Sequence, residues 1–127
     1  MLILRIARRI RANRAGDDLS DSQLAVLFHL ERGDLSPSEL AAHEQVTPPS
    51  MNRTLNGLEE AGLVQRHPVD DDARRVRVAL TAAGRERIAA ARSARTRWFS
   101  QQLGHLTPGE RRALEEVTPV LRRLAGA

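Results

Sequence analysis

Immediately after Gly62 the spacing of apolar residues changes from about 3.6 to 2, and this change of period constrains the fold of the 127-residue chain more than any other feature. Leu63-Val64-Gln65-Arg66-His67 forms a short strand pattern ended by Pro68. Arg75-Val76-Arg77-Val78-Ala79-Leu80 alternates, with Val76, Val78 and Leu80 on one face and Arg75 and Arg77 on the other. The polar stretch Val69-Asp70-Asp71-Asp72-Ala73-Arg74 between them is suited to the loop of an antiparallel hairpin.

Everything else is helical, and several helices announce their starts. Ser20-Asp21-Ser22-Gln23, Ser36-Pro37-Ser38-Glu39 and Thr107-Pro108-Gly109-Glu110 each fit the capping box, in which a hydroxyl and a Glu or Gln side chain satisfy two backbone N–H groups reciprocally. Pro37 and Pro108 sit at the first helical position, where a missing N–H costs nothing. Thr47-Pro48 and Thr81 open two more. The pattern predicts helices over 2–14, 20–32, 36–43, 47–61, 81–103 and 107–124, with Gly33 and Gly62 as left-handed closing residues. Pro119 should kink or divide the last one.

Residues 44–46 leave room only for a tight turn. A short helix, a turn and a longer helix opened by Thr-Pro is helix-turn-helix grammar, and a hairpin directly after it is a wing. The predicted fold is mainly α with a small β-hairpin (α+β), a winged helix-turn-helix in one domain, 1–127. Its core is 20–80, with a recognition helix at 47–61 and a wing at 63–80; helices within 1–14 and 81–127 flank it.

Composition excludes several functions. Cys is 0, so disulfides, thiolate metal sites and cysteine nucleophiles are out. Aromatic residues are 2 %, too few for a base-stacking platform. No apolar run approaches the ~20 residues of a membrane span, and a cytoplasmic location is expected. Residues 1–16 hold five Arg and no acid, as transit peptides do, but Ile3, Ile6, Ala7 and Ile10 fall at helical spacing and mark a first helix. No phosphate-cradling glycine loop, nucleophile elbow or suitably spaced carboxylate pair suggests an enzyme. His29, His43, His67 and His105 lie far apart with no metal-ligand spacing, and no cofactor or metal is expected.

The charge balance points elsewhere. All 20 basic residues are Arg, the net charge is +4 and the pI is about 11.2. Arg is a planar fork that matches phosphate and guanine edges, although a GC-rich genome would also replace Lys by Arg. In helix 47–61, Met51, Leu55 and Leu58 face the core. The opposite side carries Arg53, Asn56 and Gly57, with Ser50 and Asn52 on its flanks and Thr54 nearer the core boundary. Arg and Asn pair with guanine and adenine in the major groove, and Ser or Thr serves either. Acids appear only at Glu59 and Glu60, away from the N-terminal part that a recognition helix inserts. The plain alternative is a solvated polar face. A winged-helix protein-interaction module without sequence-specific DNA binding would instead show apolar residues there.

The wing adds Arg66, Arg74, Arg75 and Arg77, a cluster suited to phosphates, and an Arg at a hairpin tip suits the minor groove. Among Asp70, Asp71 and Asp72, spacing selects Asp72 to hold and orient Arg74. The three acids lack the glycine turn and distant Glu of a calcium loop.

Ser36-Pro37-Ser38-Glu39-Leu40-Ala41, Val46-Thr47 through Arg53-Thr54-Leu55 to Leu58-Glu59-Glu60-Ala61-Gly62-Leu63-Val64-Gln65-Arg66, Asp72-Ala73-Arg74-Arg75 and Leu80-Thr81-Ala82-Ala83-Gly84 together resemble the MarR family of bacterial regulators. The resemblance implies a homodimer on a short pseudo-palindromic double-stranded DNA operator, usually a repressor relieved by a small-molecule ligand. It implies major-groove contacts from Ser50, Asn52, Arg53, Thr54 and Asn56, with Ser36, Ser38, Arg66, Arg75 and Arg77 near the backbone and Arg74 in the minor groove. The apolar stripes Ile3, Ile6 and Ile10, Trp98 and Phe99, and Leu114, Val117, Leu121 and Leu124 are the expected dimerisation residues. The chain departs from similar proteins in three respects: its first helix begins at Met1 without leading residues, Gly57 replaces a longer polar side chain, and the lack of Cys removes thiol sensing.

Overall fold

The computed structural model describes residues 1–12, 18–70 and 72–126, with the backbone alone at 72–74. In chain order it contains α1 (Leu2–Ala12), α2 (Asp21–Leu30), α3 (Pro37–Glu44), α4 (Pro48–Glu60), β1 (Val64–Val69), β2 (Asp72–Leu80), α5 (Ala82–Gly104) and α6 (Pro108–Leu124). Six helices and one hairpin are the expected elements. The chain falls into two compact units, one of Met1–Arg14 with Ser93–Ala127, the other of Ala15–Arg92.

The local signals act as anticipated. Ser20, Ser36 and Thr107 each accept from the backbone N–H three residues on, while the Gln23, Glu39 and Glu110 side chains reach back to their N-cap amides. Thr47 accepts from Ser50 N. The Thr81 hydroxyl accepts from Gly84 N at 3.1 Å and donates to Gly62 O at 2.6 Å, tying the start of α5 to the end of α4.

Leu24, Leu27 and Leu30 of α2, Leu40 and Ala41 of α3, Met51, Leu55 and Leu58 of α4, and Ile88 of α5 are buried in one cluster. Leu63, Val64, Val78 and Leu80 close that core from the hairpin. Burying a Leu or Met of this kind stabilises by roughly 1.5–3 kcal/mol before entropy is counted. The three-residue spacing of Leu55 and Leu58 thus fixes which side of α4 is left for solvent.

Two details of helix closure differ from expectation. Gly62 closes α4 at φ 74, with Leu63 N bonding back to Leu58 O at 3.0 Å. Gly33, by contrast, takes φ 150, a glycine-favouring value outside the left-handed helical range, three residues beyond the end of α2. The left-handed closure of α3 belongs to Gln45 (φ 54, ψ 44), which makes the tight turn into α4. Helix α6 runs undivided through Pro119.

The hairpin is longer than predicted. β1 continues through Pro68 to Val69, and β2 begins at Asp72, so the expected six-residue loop contracts to its tip. Val64 pairs with Leu80, Arg66 with Val78 and Pro68 with Val76; the register then shifts so that Val69 faces Asp72. The bridge between Leu35 and Val78 reveals the phase of the ladder and with it why Pro68 is tolerated. Leu35 and Val78 exchange both backbone hydrogen bonds, at 2.8 and 3.2 Å, so Val78 turns its polar groups away from β1. The Arg66–Val78 pair is therefore a non-hydrogen-bonded one, and the two-residue period puts Pro68–Val76 in the same class. The N–H that proline lacks would have pointed outward.

Candidate nucleic-acid interface

The face of α4 away from the core exposes Asn52, Arg53 and Asn56, with Ser50 and Thr54 half-buried at its edges. Thr54 donates its hydroxyl hydrogen to Ser50 O at 3.2 Å, the usual i−4 bond of a helical threonine, and keeps its lone pairs for a partner. Arg53 makes no ion pair among the described residues. Gly57 does not belong to this face. It is half-buried, and a Cβ added there would lie 2.9 Å from Gln23 Nε2 on α2, so glycine here allows close helix packing.

A depression of about 610 Å³ brings Ser36, Ser38, Asn52, Arg75 and Arg77 to one wall-and-floor arrangement, with Glu39 and Asp70 also at its edge. The start of α3, the face of α4 and the wing thus share one concave surface. Arg75 is exposed and without an ion pair among the described residues.

The other two described wing arginines are engaged. Arg77 donates through Nη2 to Asp34 O at 2.7 Å and lies 3.5 Å from Glu39 Oε2 through Nη1. Arg66 donates through Nη1 to Asn56 Oδ1 at 2.9 Å and to Glu59 Oε2 at 3.1 Å. Both bind protein where the sequence suggests phosphate. Spacing along the chain gives no sign of it, since the Arg77 acceptor is 43 residues away. The expected Asp72–Arg74 pair lies outside the described side chains, as does residue 71 entirely.

Elsewhere, His29 Nε2 lies 2.6 Å from Glu44 Oε1, and the rings of His29 and His43 stack with centroids 5.1 Å apart, although 14 positions separate them in sequence. His67 lies 3.5 Å from Asp34 Oδ2. Among the described residues, no group of three potential ligands is placed to hold a metal ion, and no helix is long and apolar enough to cross a membrane. On the other unit, Ile3, Ile6, Phe99, Leu114, Val117, Leu121 and Leu124 are all exposed, with Trp98 and Ile10 half-buried. Phe99, Leu103, Leu114 and Leu121 line a groove of about 490 Å³.

Residues 17–75 match the model of the MarR family. An uncharacterized HTH-type transcriptional regulator of Mycobacterium bovis is 34% identical over 125 residues, covering 98% of this chain and 87% of its own. The chain belongs to the MarR family. It is accordingly a DNA-binding transcriptional regulator with a winged helix-turn-helix. A solved protein from Pseudomonas aeruginosa, described as a transcriptional regulator, superposes on this MarR-family chain with a TM-score of 0.86 at 35% identity, over 99% of this chain and 90% of that one. A MepR mutant from S. aureus bound to an oligodeoxyribonucleotide shares the fold at 22% identity, with a TM-score of 0.76 over 97% of this chain and 95% of that one.

Proposed function

We propose that this regulator acts as a homodimer on a pseudo-palindromic operator, reading the major groove with Asn52, Arg53 and Asn56, with Ser50 and Thr54 beside them. Ser36, Ser38 and Arg75 meet the phosphates, and Arg74 of the wing enters the minor groove. Residues 20–80 are the DNA-binding core, and the helices within 1–14 and 81–127 pair two copies. The working state is a cytoplasmic repressor released by a small-molecule ligand.

The observation that carries this reading is the composition of the outer face of α4. A guanidinium with no ion pair among the described residues stands between two exposed carboxamides, and none of the exposed large apolar residues lies on that helix. That same fact disfavours a protein-interaction module, which needs an apolar patch there. Pairing is supported by Ile3 at 64 % and Leu124 at 76 % exposure, values at which these side chains gain little from burial within one subunit.

Selection from a pool of randomised duplexes, combined with sedimentation of the bound and free protein, tests both parts. Enrichment of an inverted repeat by a two-subunit species is the expected result. A single subunit that enriches no sequence would overturn the reading.

A further inference from the structure

Arg66 Nη1 carries two hydrogens, and the structure gives one to Asn56 Oδ1 (2.9 Å) and one to Glu59 Oε2 (3.1 Å). Glu59 supplies the opposite charge that anchors the guanidinium, whose side chain is only 25 % exposed. Asn56 supplies no charge, so what the contact confers on it is orientation. A guanidinium has donors and no acceptor; a carboxamide can face it only with its oxygen, since the flipped form would set N–H against N–H. The NH2 group of Asn56 is thereby turned away from Arg66, on a side chain that is itself exposed.

We propose that Arg66 is a positioning residue for base recognition: by holding Oδ1 of Asn56, it makes that side chain present its NH2 to the major groove as a donor. This rests on α4 being the recognition helix. The bidentate pairing of Asn with adenine uses oxygen and nitrogen together, the oxygen accepting from N6 and the nitrogen donating to N7. With Oδ1 engaged by a charged donor on the wing, nitrogen is the atom offered to the duplex. Donors find partners at purine N7, guanine O6 and thymine O4, and guanine presents two such acceptors side by side. Asn56 therefore selects acceptor-bearing edges, guanine foremost, and Arg66 shapes base preference without touching DNA.

The test is sequence selection from randomised duplexes with the full chain and its variants Asn56→Ala, Arg66→Met, the double substitution, and Asn56→Asp. Arg66→Met keeps an unbranched apolar stem and removes every donor. Asn56→Ala and Arg66→Met are expected to flatten preference at the same base position by about fivefold, the worth of one hydrogen bond, with the other positions unchanged. The double variant is expected to be no flatter there than Asn56→Ala alone. Asn56→Asp keeps Arg66 partnered and puts an oxygen where the NH2 stood, so preference for an acceptor edge disappears even if Arg66→Met proves unstable by circular dichroism. Replacing the preferred guanine with 7-deazaguanine weakens the unaltered protein at that position alone.

Equal weakening at every position with Arg66→Met, or a preference unchanged by Asn56→Asp, overturns the proposal and leaves α4 as the recognition helix. If the unaltered protein selects no sequence, both readings fall.

Discussion

Gly84, at the start of α5, faces the backbone carbonyl of Leu63 so closely that a Cβ added there would collide with its oxygen, and would also lie 3.1 Å from Leu80 Cδ2. The base of the wing and the first turn of α5 meet at this point, and the carbonyl in the way is backbone, which cannot step aside as a side-chain end can. Gly84→Ala is therefore expected to destabilise by about 1–3 kcal/mol through overpacking, seen as a lowered denaturant midpoint. Gly57→Ala is the contrasting case. The methyl would press on the Gln23 carboxamide that caps α2, a cost set against the roughly 1 kcal/mol by which alanine favours the helix, so stability and DNA affinity should both stay close to the original. A large drop in operator affinity with Gly57→Ala would return that residue to the DNA-facing side.

Arg53 is an exposed cation on α4 without an ion pair among the described residues. Arg53→Ala should reduce discrimination between cognate and altered operator bases by about 1–3 kcal/mol. Competition between specific and scrambled duplexes measures this directly; equal weakening on both would make Arg53 a phosphate contact.

Arg75 and Arg77 sit two residues apart on β2 and should behave differently. Arg75→Ala is expected to make the slope of log K against log salt shallower by about 0.9, the effect of one fewer phosphate neutralised. Arg77→Ala removes the hydrogen bond to Asp34 O, so it should lower thermal stability, on the order of 0.5–1.5 kcal/mol, and leave the slope alone. A slope that changes with Arg77→Ala instead would place that side chain on the duplex.

Arg92 joins Glu31 at 2.6 Å and lies over the Phe28 ring, 5.6 Å from its centroid. The hydrogen bond from Arg92 holds the Glu31 carboxyl below its ordinary value, aided by the charges of Arg92 and Arg32 and opposed by desolvation. A carboxyl whose folded pKa lies below its unfolded one adds stability above the unfolded value, and that contribution is lost as the pH falls through the folded one. Carboxyl-resolved NMR titration should find Glu31 titrating at lower pH than in the Arg92→Met variant. Identical titration curves would dissolve the pair.

On the helical unit, Leu121→Glu places a charge on the exposed apolar stripe of α6. The expected outcome is a single subunit in sedimentation with weakened operator binding and an unchanged circular dichroism spectrum. A variant that still travels as two subunits would exclude this stripe from the pairing surface.

What the sequence discloses about this molecule is whatever short-range chemistry determines. Ser36 and Glu39 bond within one turn, so their capping box is visible without coordinates, and the alternation of Val76, Val78 and Leu80 places them on the core side of the wing. Gln45 is not foreseeable, because glycine or asparagine is the usual left-handed residue. Pro68 misleads because its harmlessness depends on the hydrogen-bonding phase of its pair with Val76, which the strand's own sequence does not display. Among the site residues, the types on α4 are legible from helical phase. Whether an arginine is free or engaged depends on carbonyls and carboxylates brought from distant positions, which is why Arg66 and Arg77 read as phosphate ligands from sequence.

The pair of backbone bonds between Leu35 and Val78 has a mechanical consequence. It fastens β2 to the stretch that launches α3. A shift of the segment ahead of α3 must therefore break these two bonds or take β2 with it, and Arg75 lies three residues along that strand.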